Sequence, residues 1–232
     1  MRVAIIPARG GSKGVPGKNL LTIAGRPLLG HAITCAQRAG CDRVIVSTQC
    51  PDIAAEAQRW KAEVVTRPEE LAGDESNSQD ALRHALRGVR AAAVAFIQCT
   101  TPMLDPADIR GCFDKLTDEY DVVVCCHRFD GIVLGGDGKL LNMPTGGSQR
   151  RQDREQWVMS GGCWAFRPFY LQWEWMSGQI GIHEAAFPHR LEIDTPEDVR
   201  LTEAILGNVL HRHGQHDLRD ERDGLRRREA VA

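Results

Sequence analysis

No stretch of this 232-residue chain approaches the ~20 consecutive apolar residues that a membrane span requires. Neither charge is in excess: 29 Lys and Arg against 31 Asp and Glu leave a net charge of −2, without the basic footprint of a duplex-binding surface. Membrane and nucleic acid are therefore not expected partners. The eight cysteines, at 35, 41, 50, 99, 112, 125, 126 and 163, include no C-x-x-C pair, and several sit within apolar patterns. That usage argues for reduced core thiols rather than a zinc or disulfide framework, and for a reducing cytoplasm. The opening residues hold one arginine and a short apolar run that ends at Pro7-Ala8-Arg9, too short for a secretory signal, so a soluble cytosolic protein is expected.

What the chain does have is an alternation. Apolar runs suited to strands recur at 2–6, 43–47, 62–65, 93–97 and 121–126, separated by helical patterns near 28–39, 51–61, 76–90 and 106–119. Strands alternating with helices predict βαβ units and a Rossmann-like α/β fold, three α/β/α layers around a mostly parallel sheet. One domain over 1–210 is expected, since this length buries a core without disulfide or metal. Between 127 and 165 glycines break the pattern into turns, with Ile132-Val133-Leu134 and Leu140-Leu141 as hairpin candidates; we read an excursion that covers the site or builds a dimer contact. A strand returns at Cys163-Trp164-Ala165-Phe166. Trp173 and Trp175 beyond it suit core or interface. A last helix starts at Thr195 as N-cap, with Pro196 first inside and Glu197-Asp198 in the first turn. Residues 211–232 are dense in mixed charge and poor in apolar residues, which predicts a flexible tail without chemistry.

The most informative segment is Arg9-Gly10-Gly11-Ser12-Lys13-Gly14-Val15-Pro16-Gly17-Lys18-Asn19, directly behind the apolar run Val3-Ala4-Ile5-Ile6. Four glycines let backbone N–H groups, starting next to Ala8, wrap a polyphosphate, while Arg9, Lys13 and Lys18 neutralise it. A Walker A loop is excluded because Ser12 stands where its first glycine belongs and Asn19 replaces the magnesium-binding hydroxyl. The dinucleotide fingerprint fails too, since Gly11, Gly14 and Gly17 fall three apart and Pro16 interrupts. An NAD-dependent oxidoreductase is thus the weaker alternative, and a nucleotide triphosphate the expected ligand. A non-catalytic nucleotide-binding module is the second alternative.

Ala8-Arg9-Gly10-Gly11-Ser12-Lys13-Gly14-Val15-Pro16-Gly17-Lys18-Asn19 resembles the A-R-x-x-S-K-G-x-x-x-K-N loop of the cytidylyltransferases that activate acidic sugars. These are chiefly the CMP-N-acylneuraminate synthetase family and, more distantly, CMP-Kdo synthetase. Four further segments are similar to that family's motifs and follow in the same order: Thr66 to Asp74 with Ser76 and Ser78, Phe96 to Pro102, Arg151-Gln152-Asp153, and Glu192 to Asp198. The resemblance implies a nucleotide-diphospho-sugar transferase fold and transfer of CMP from CTP to a small acidic acceptor, with release of pyrophosphate and with Mg2+ as cofactor. It further implies a homodimer.

Residue by residue, the resemblance implies Arg9, Lys18 and Asp194 as catalytic groups. It carries over Ala8, Gly10, Gly11, Ser12, Lys13, Asn19, Arg67, Ser78, Gln98 and Thr100 as nucleotide contacts. Gln98, Arg151, Gln152 and Trp164 are implied for the acceptor. Lys13 fits a phosphate contact or a solvated turn equally. Glu192 and Asp194, two apart on an extended segment, point to one face and could share a magnesium ion; Asp194 could instead cap the following helix. The chain also departs from its relatives. Glu192 replaces the usual aspartate, Met103-Leu104 follows Pro102 where L-R is usual, and Ser160-Gly161-Gly162-Cys163-Trp164 stands in place of N-G-x-x-Y. Arg150, Arg151 and Arg154 could fork onto a carboxylate or a phosphonate. The acceptor is therefore read as a nonulosonic, sialic-type keto-sugar acid or a phosphonate, the two standing level.

Overall fold

A computed structural model describes residues 1–11, 14–73, 77–142, 156–172 and 178–212. Its centre is a seven-stranded sheet in the order β5-β4-β1-β6-β8-β7-β9. The strands are β1 (Arg2–Pro7), β4 (Arg43–Thr48), β5 (Glu63–Thr66), β6 (Ala93–Ile97), β7 (Val122–Phe129), β8 (Gln156–Phe166) and β9 (Ile180–Glu184). A two-stranded ribbon, β2 (Thr22–Ile23) with β3 (Arg26–Pro27), stands apart. β1 pairs in parallel with β4 and β6, β4 with β5 and β7 with β9, whereas β8 runs antiparallel to both β6 and β7. The sheet is Rossmann-like and mostly parallel, as its alternating sequence implies.

Val3, Ala4, Ile5 and Ile6 have no solvent exposure, because helices cover both faces of a parallel sheet. Alternate residues feed two cores. Ala4, Ile6, Val46 and Ile97 face α1 (Leu28–Arg38), α2 (Pro51–Arg59) and α4 (Pro106–Asp114), meeting Leu29, Ile33, Ile53, Ile109 and Phe113. Val3, Ile5, Ile45 and Phe96 face the other way, toward Leu82 and Ala85 of α3 (Ser78–Ala85). Each fully buried Ile or Leu contributes about 1.5–3 kcal/mol, so a sheet buried on both faces is held without cross-links. All eight cysteines are free thiols, six of them buried.

Local chemistry sets the helix starts. Asp105 caps α4 in a reciprocal capping box with Asp108, with Pro at the first position. At α5 (Pro196–Arg212), Asp198 N donates to Thr195 Oγ1 at 3.3 Å, while Asp198 Oδ2 accepts from Thr195 N at 2.8 Å and Asp194 N at 3.0 Å. Thr195 is therefore the cap, as its position implies, and the alternative that Asp194 caps this helix is not what forms.

β7 and β8 are longer than the apolar runs suggested: their pairing reaches Phe129 opposite Gln156, with a register shift between Val124 and Cys126. Between them, the described residues 130–142 lie outside the seven-stranded sheet. They carry an isolated antiparallel bridge, Leu134 to Leu140, where a hairpin was expected. Trp173, Trp175 and residues 213–232 lie outside the described residues. Among the described residues no helix is long and apolar enough to cross a membrane.

Candidate active site

The loop after β1, the ends of β4 and β6, and the segment before α5 converge on one crevice at the carboxyl edge of the sheet, where ligands bind in folds of this kind. Two glycines make the convergence possible. A Cβ on Gly14 would overlap the carbonyl oxygen of Asp194, so the loop presses directly on the acidic segment. Gly17 adopts φ +64°, a conformation that favours glycine, and turns the chain into a single 3-10 turn over Lys18–Leu20. That turn aims Lys18 inward: Nζ donates to Ile193 O at 2.9 Å and to Asp194 Oδ1 at 2.9 Å. An ammonium has three donors, so one proton is left for a ligand among the described residues.

The buried amide of Asn19 donates from Nδ2 to Arg9 O at 3.0 Å; its side chain thus holds the loop closed. Ala8 is fully buried and its N–H donates to Ser47 O at 2.9 Å, which ties the loop to β4. Gly10 and Gly11 are exposed, Gly10 lying beside Cys50. Arg9 Nη1 reaches Gly73 O at 3.5 Å. Arg67 is 6% exposed, and among the described residues it finds only carbonyls: Nη2 donates to Ser47 O at 2.7 Å and Nη1 to Leu71 O at 3.2 Å, while Nε has no acceptor. Burial pushes the Arg67 guanidinium down from its usual value, and the positive field of Arg9 pushes it further.

At the end of β6, the Gln98 amide faces two acceptors, so its orientation is assigned with Nε2 donating to Glu192 Oε1 at 3.0 Å and to Gly161 O at 2.9 Å. Thr100 Oγ1 donates to the same Glu192 oxygen at 3.0 Å, and Ile193 N donates to Thr100 O at 2.8 Å. Glu192 is thus turned toward β6 and β8, and Asp194 toward the glycine-rich loop. Burial raises the Glu192 carboxyl and the neighbouring Asp194 charge adds to this, against the Thr100 hydrogen bond and Lys18. The Asp194 side chain is 65% exposed beside Lys18. Asp194 and Glu192, two apart on an extended segment, offer one exposed and one half-buried carboxylate, the oxygen donors a hard cation takes together with phosphate oxygens and water, but they turn to different partners, Lys18 on one side and Gln98 and Thr100 on the other.

Other candidate residues fall elsewhere. Ser78 is exposed at the first turn of α3, where Asn77 Oδ1 caps by accepting from Gln79 N at 2.9 Å. Trp164 is packed in the core face shared with α3, stacked on Phe96 with ring centroids 4.9 Å apart. Ser12, Lys13, Arg150, Arg151, Gln152 and Arg154 lie outside the described residues. Sequence reasoning missed Gly161, whose missing side chain leaves the space that Glu192 and Gln98 occupy. It also missed Asp108, His183 and His189, which are scattered along the chain and meet only in the fold.

Comparison with known proteins identifies the family of the chain. The family model described as cytidylyltransferase matches residues 3–216, and the chain belongs to that family. N-acylneuraminate cytidylyltransferase B of Danio rerio is 31% identical over 210 residues, covering 85% of this chain and 49% of that protein. The CMP-N,N'-diacetyllegionaminic acid synthase of Legionella pneumophila subsp. pneumophila is 39% identical over 118 residues, 47% of this chain and 51% of that one. The chain thus spans about half the length of such curated relatives. A solved structure of CMP:2-keto-3-deoxy-manno-octonic acid synthetase complexed with CTP superposes with a TM-score of 0.71 at 22% identity, over 90% of this chain and 99% of that one. At that identity the match speaks for the fold, which is of the nucleotide-diphospho-sugar transferase type.

Proposed function

We propose that the protein is a CTP-dependent cytidylyltransferase that joins CMP to a nonulosonic keto-sugar acid and releases pyrophosphate. The observation that carries this reading is Lys18, held by Ile193 O and Asp194 Oδ1 where the glycine-rich loop meets the acidic segment. An acceptor oxygen attacks the α-phosphorus while pyrophosphate leaves in line, and negative charge builds on the leaving phosphates. Lys18, Arg9 and Arg67 supply fixed positive charge there, which acts most strongly on the transition state. Asp194 and Glu192 are the residues that would hold magnesium, which when bound neutralises phosphate oxygens. Gln98 and Thr100 offer neutral polar groups beside them without adding charge.

The names of the relatives favour a sugar acid over a phosphonate. Incubation with CTP, Mg2+ and a panel of nonulosonic acids and phosphonates, with the product identified by mass, tests this choice. A CMP-linked sugar acid with stoichiometric pyrophosphate is expected; a CMP-phosphonate would reassign the acceptor, and CTP binding without turnover would leave a nucleotide-binding module. Dependence of turnover on added Mg2+ tests the cofactor. We also propose that two copies pair through the exposed apolar residues that flank the β7–β8 ribbon, and that the protein works in a reducing compartment, as eight unpaired thiols favour.

A further inference from the structure

The segment that delivers Glu192 and Asp194 has a second anchor outside the crevice. It leaves β9, where Ala185 N donates to Cys126 O at 2.8 Å, and it rejoins the sheet where Ile193 N donates to Thr100 O at 2.8 Å. Midway between these points, His189 Nδ1 lies 2.9 Å from Asp108 Oδ2. The same carboxylate is within 3.1 Å of His183 Nε2 through Oδ1, and its Oδ2 accepts from Asp105 N at 3.2 Å in the α4 capping box. Gly111 of α4 leaves the slot that the His183 ring fills, since a Cβ there would overlap the ring. One largely buried carboxylate therefore ties together the first turn of α4, the edge strand β9 and the loop three residues ahead of Glu192. Among the described residues neither histidine hydrogen-bonds to Lys18, Glu192 or Asp194; both face Asp108.

We propose that Asp108 and His189 are positioning residues for cytidylyl transfer: their hydrogen bond fixes the path of residues 189–194 and so the placement of Glu192 and Asp194 against Lys18. The inference rests on the cytidylyltransferase reading. It follows from geometry because, among the described residues, the hydrogen bonds that tie this segment to another element between Ala185 and Leu191 reduce to this one, the bond of Leu191 N to Pro188 O at 3.0 Å being a turn within the segment itself. Asp108 reaches the acidic segment through His189, while its bond from Asp105 N holds the start of α4; it acts through His189 rather than on a substrate. Small displacements of charged groups near a reacting phosphorus cost rate out of proportion to their size.

The test uses His189→Ala and His189→Asn, because the asparagine amide can donate from near the position of Nδ1. Hydrogen exchange is read at two amides, Ile193 in the segment and Val124 in the core of β7. In His189→Ala the Ile193 amide is expected to exchange about tenfold faster with Val124 unchanged; unchanged exchange at Ile193 overturns the proposal. Turnover is expected to fall about tenfold with KM for CTP held within about twofold, and His189→Asn to restore most of it. Wild-type turnover in the alanine variant, or no recovery in the asparagine variant, overturns it equally. A measurement on the unaltered protein requires no variant to fold: nitrogen-15 spectra at neutral pH are expected to show a proton on His189 Nδ1, and a bare Nδ1 refutes the hydrogen bond. If the wild-type protein forms no CMP conjugate with any acid, the function fails, while the exchange and spectral readouts still decide whether the anchor exists.

Discussion

Lys18 uses two of its three protons within the protein, on Ile193 O and Asp194 Oδ1, and is 14% exposed. Its charge is thus preset rather than recruited, and preset charge costs little reorganisation when the leaving phosphates become more negative. Lys18→Ala is expected to lower kcat by about two orders of magnitude, near 3 kcal/mol of barrier, with a smaller change in KM for CTP, as steady-state pyrophosphate release will show. Gly161 has a different weakness. An added methyl would occupy the space of the Gln98 amide and the Glu192 carboxylate, so Gly161→Ala displaces both polar groups at once. Turnover in that variant is expected to fall at least about tenfold, with a melting temperature close to wild type because neither side chain belongs to either apolar core. A large drop in melting temperature with unchanged turnover would mean that Gly161 serves packing alone.

Among the elements, α4, β9 and the 185–193 segment share Asp108. Burial by itself would raise this carboxyl, but the His183 hydrogen bond and the His189 charge, helped by Asp105 N–H, leave it below its usual 3.8. A depressed carboxyl stabilises the native state above the unfolded value and loses that contribution as pH falls through the folded one. Thermal melts are therefore expected to show the wild type losing stability on acidification below pH 3.8, whereas Asp108→Asn is less stable by roughly 1.5–3 kcal/mol at neutral pH and flatter in acid. The same elements show what sequence could reveal. β1, β4, β5, β6 and helices α1 to α4 were legible because apolar runs and helical periods alternate cleanly. β9 was not: Ile180-Gly181-Ile182-His183-Glu184 is too short and too polar to stand out, and its place depends on parallel pairing with β7. In the same way the loop residues and the two acidic positions were legible as local motifs. The Asp108 anchor depends on contacts 75 and 81 residues apart, which no local pattern encodes.

For the whole molecule, one edge of the sheet is polar and converging while another region is apolar and open. Leu134, Leu140 and Leu141 beside the ribbon, with Val158 and Met159 on the near end of β8, are all exposed in the single chain. Val158 and Met159 lie on β8 and the three leucines in the segment that follows β7, and all five face solvent among the described residues. Exposed large apolar residues of this kind suit the pairing proposed above. A second copy of the chain is the partner that such a patch suits, because an isologous interface needs only one self-complementary surface. Leu141→Asp combined with Met159→Asp places two charges on each face of that interface, and burying an unpaired carboxylate costs several kcal/mol. Sedimentation velocity is expected to show a dimer for the wild type and a monomer for the double variant. The melting temperature should depend on protein concentration only in the wild type. A wild-type monomer at all concentrations, or a double variant that still pairs, would move the contact away from the ribbon. In either case the crevice, built from β1, β4, β6 and the segment before α5, stays within one chain, so nucleotide binding by the double variant is expected to match the wild type.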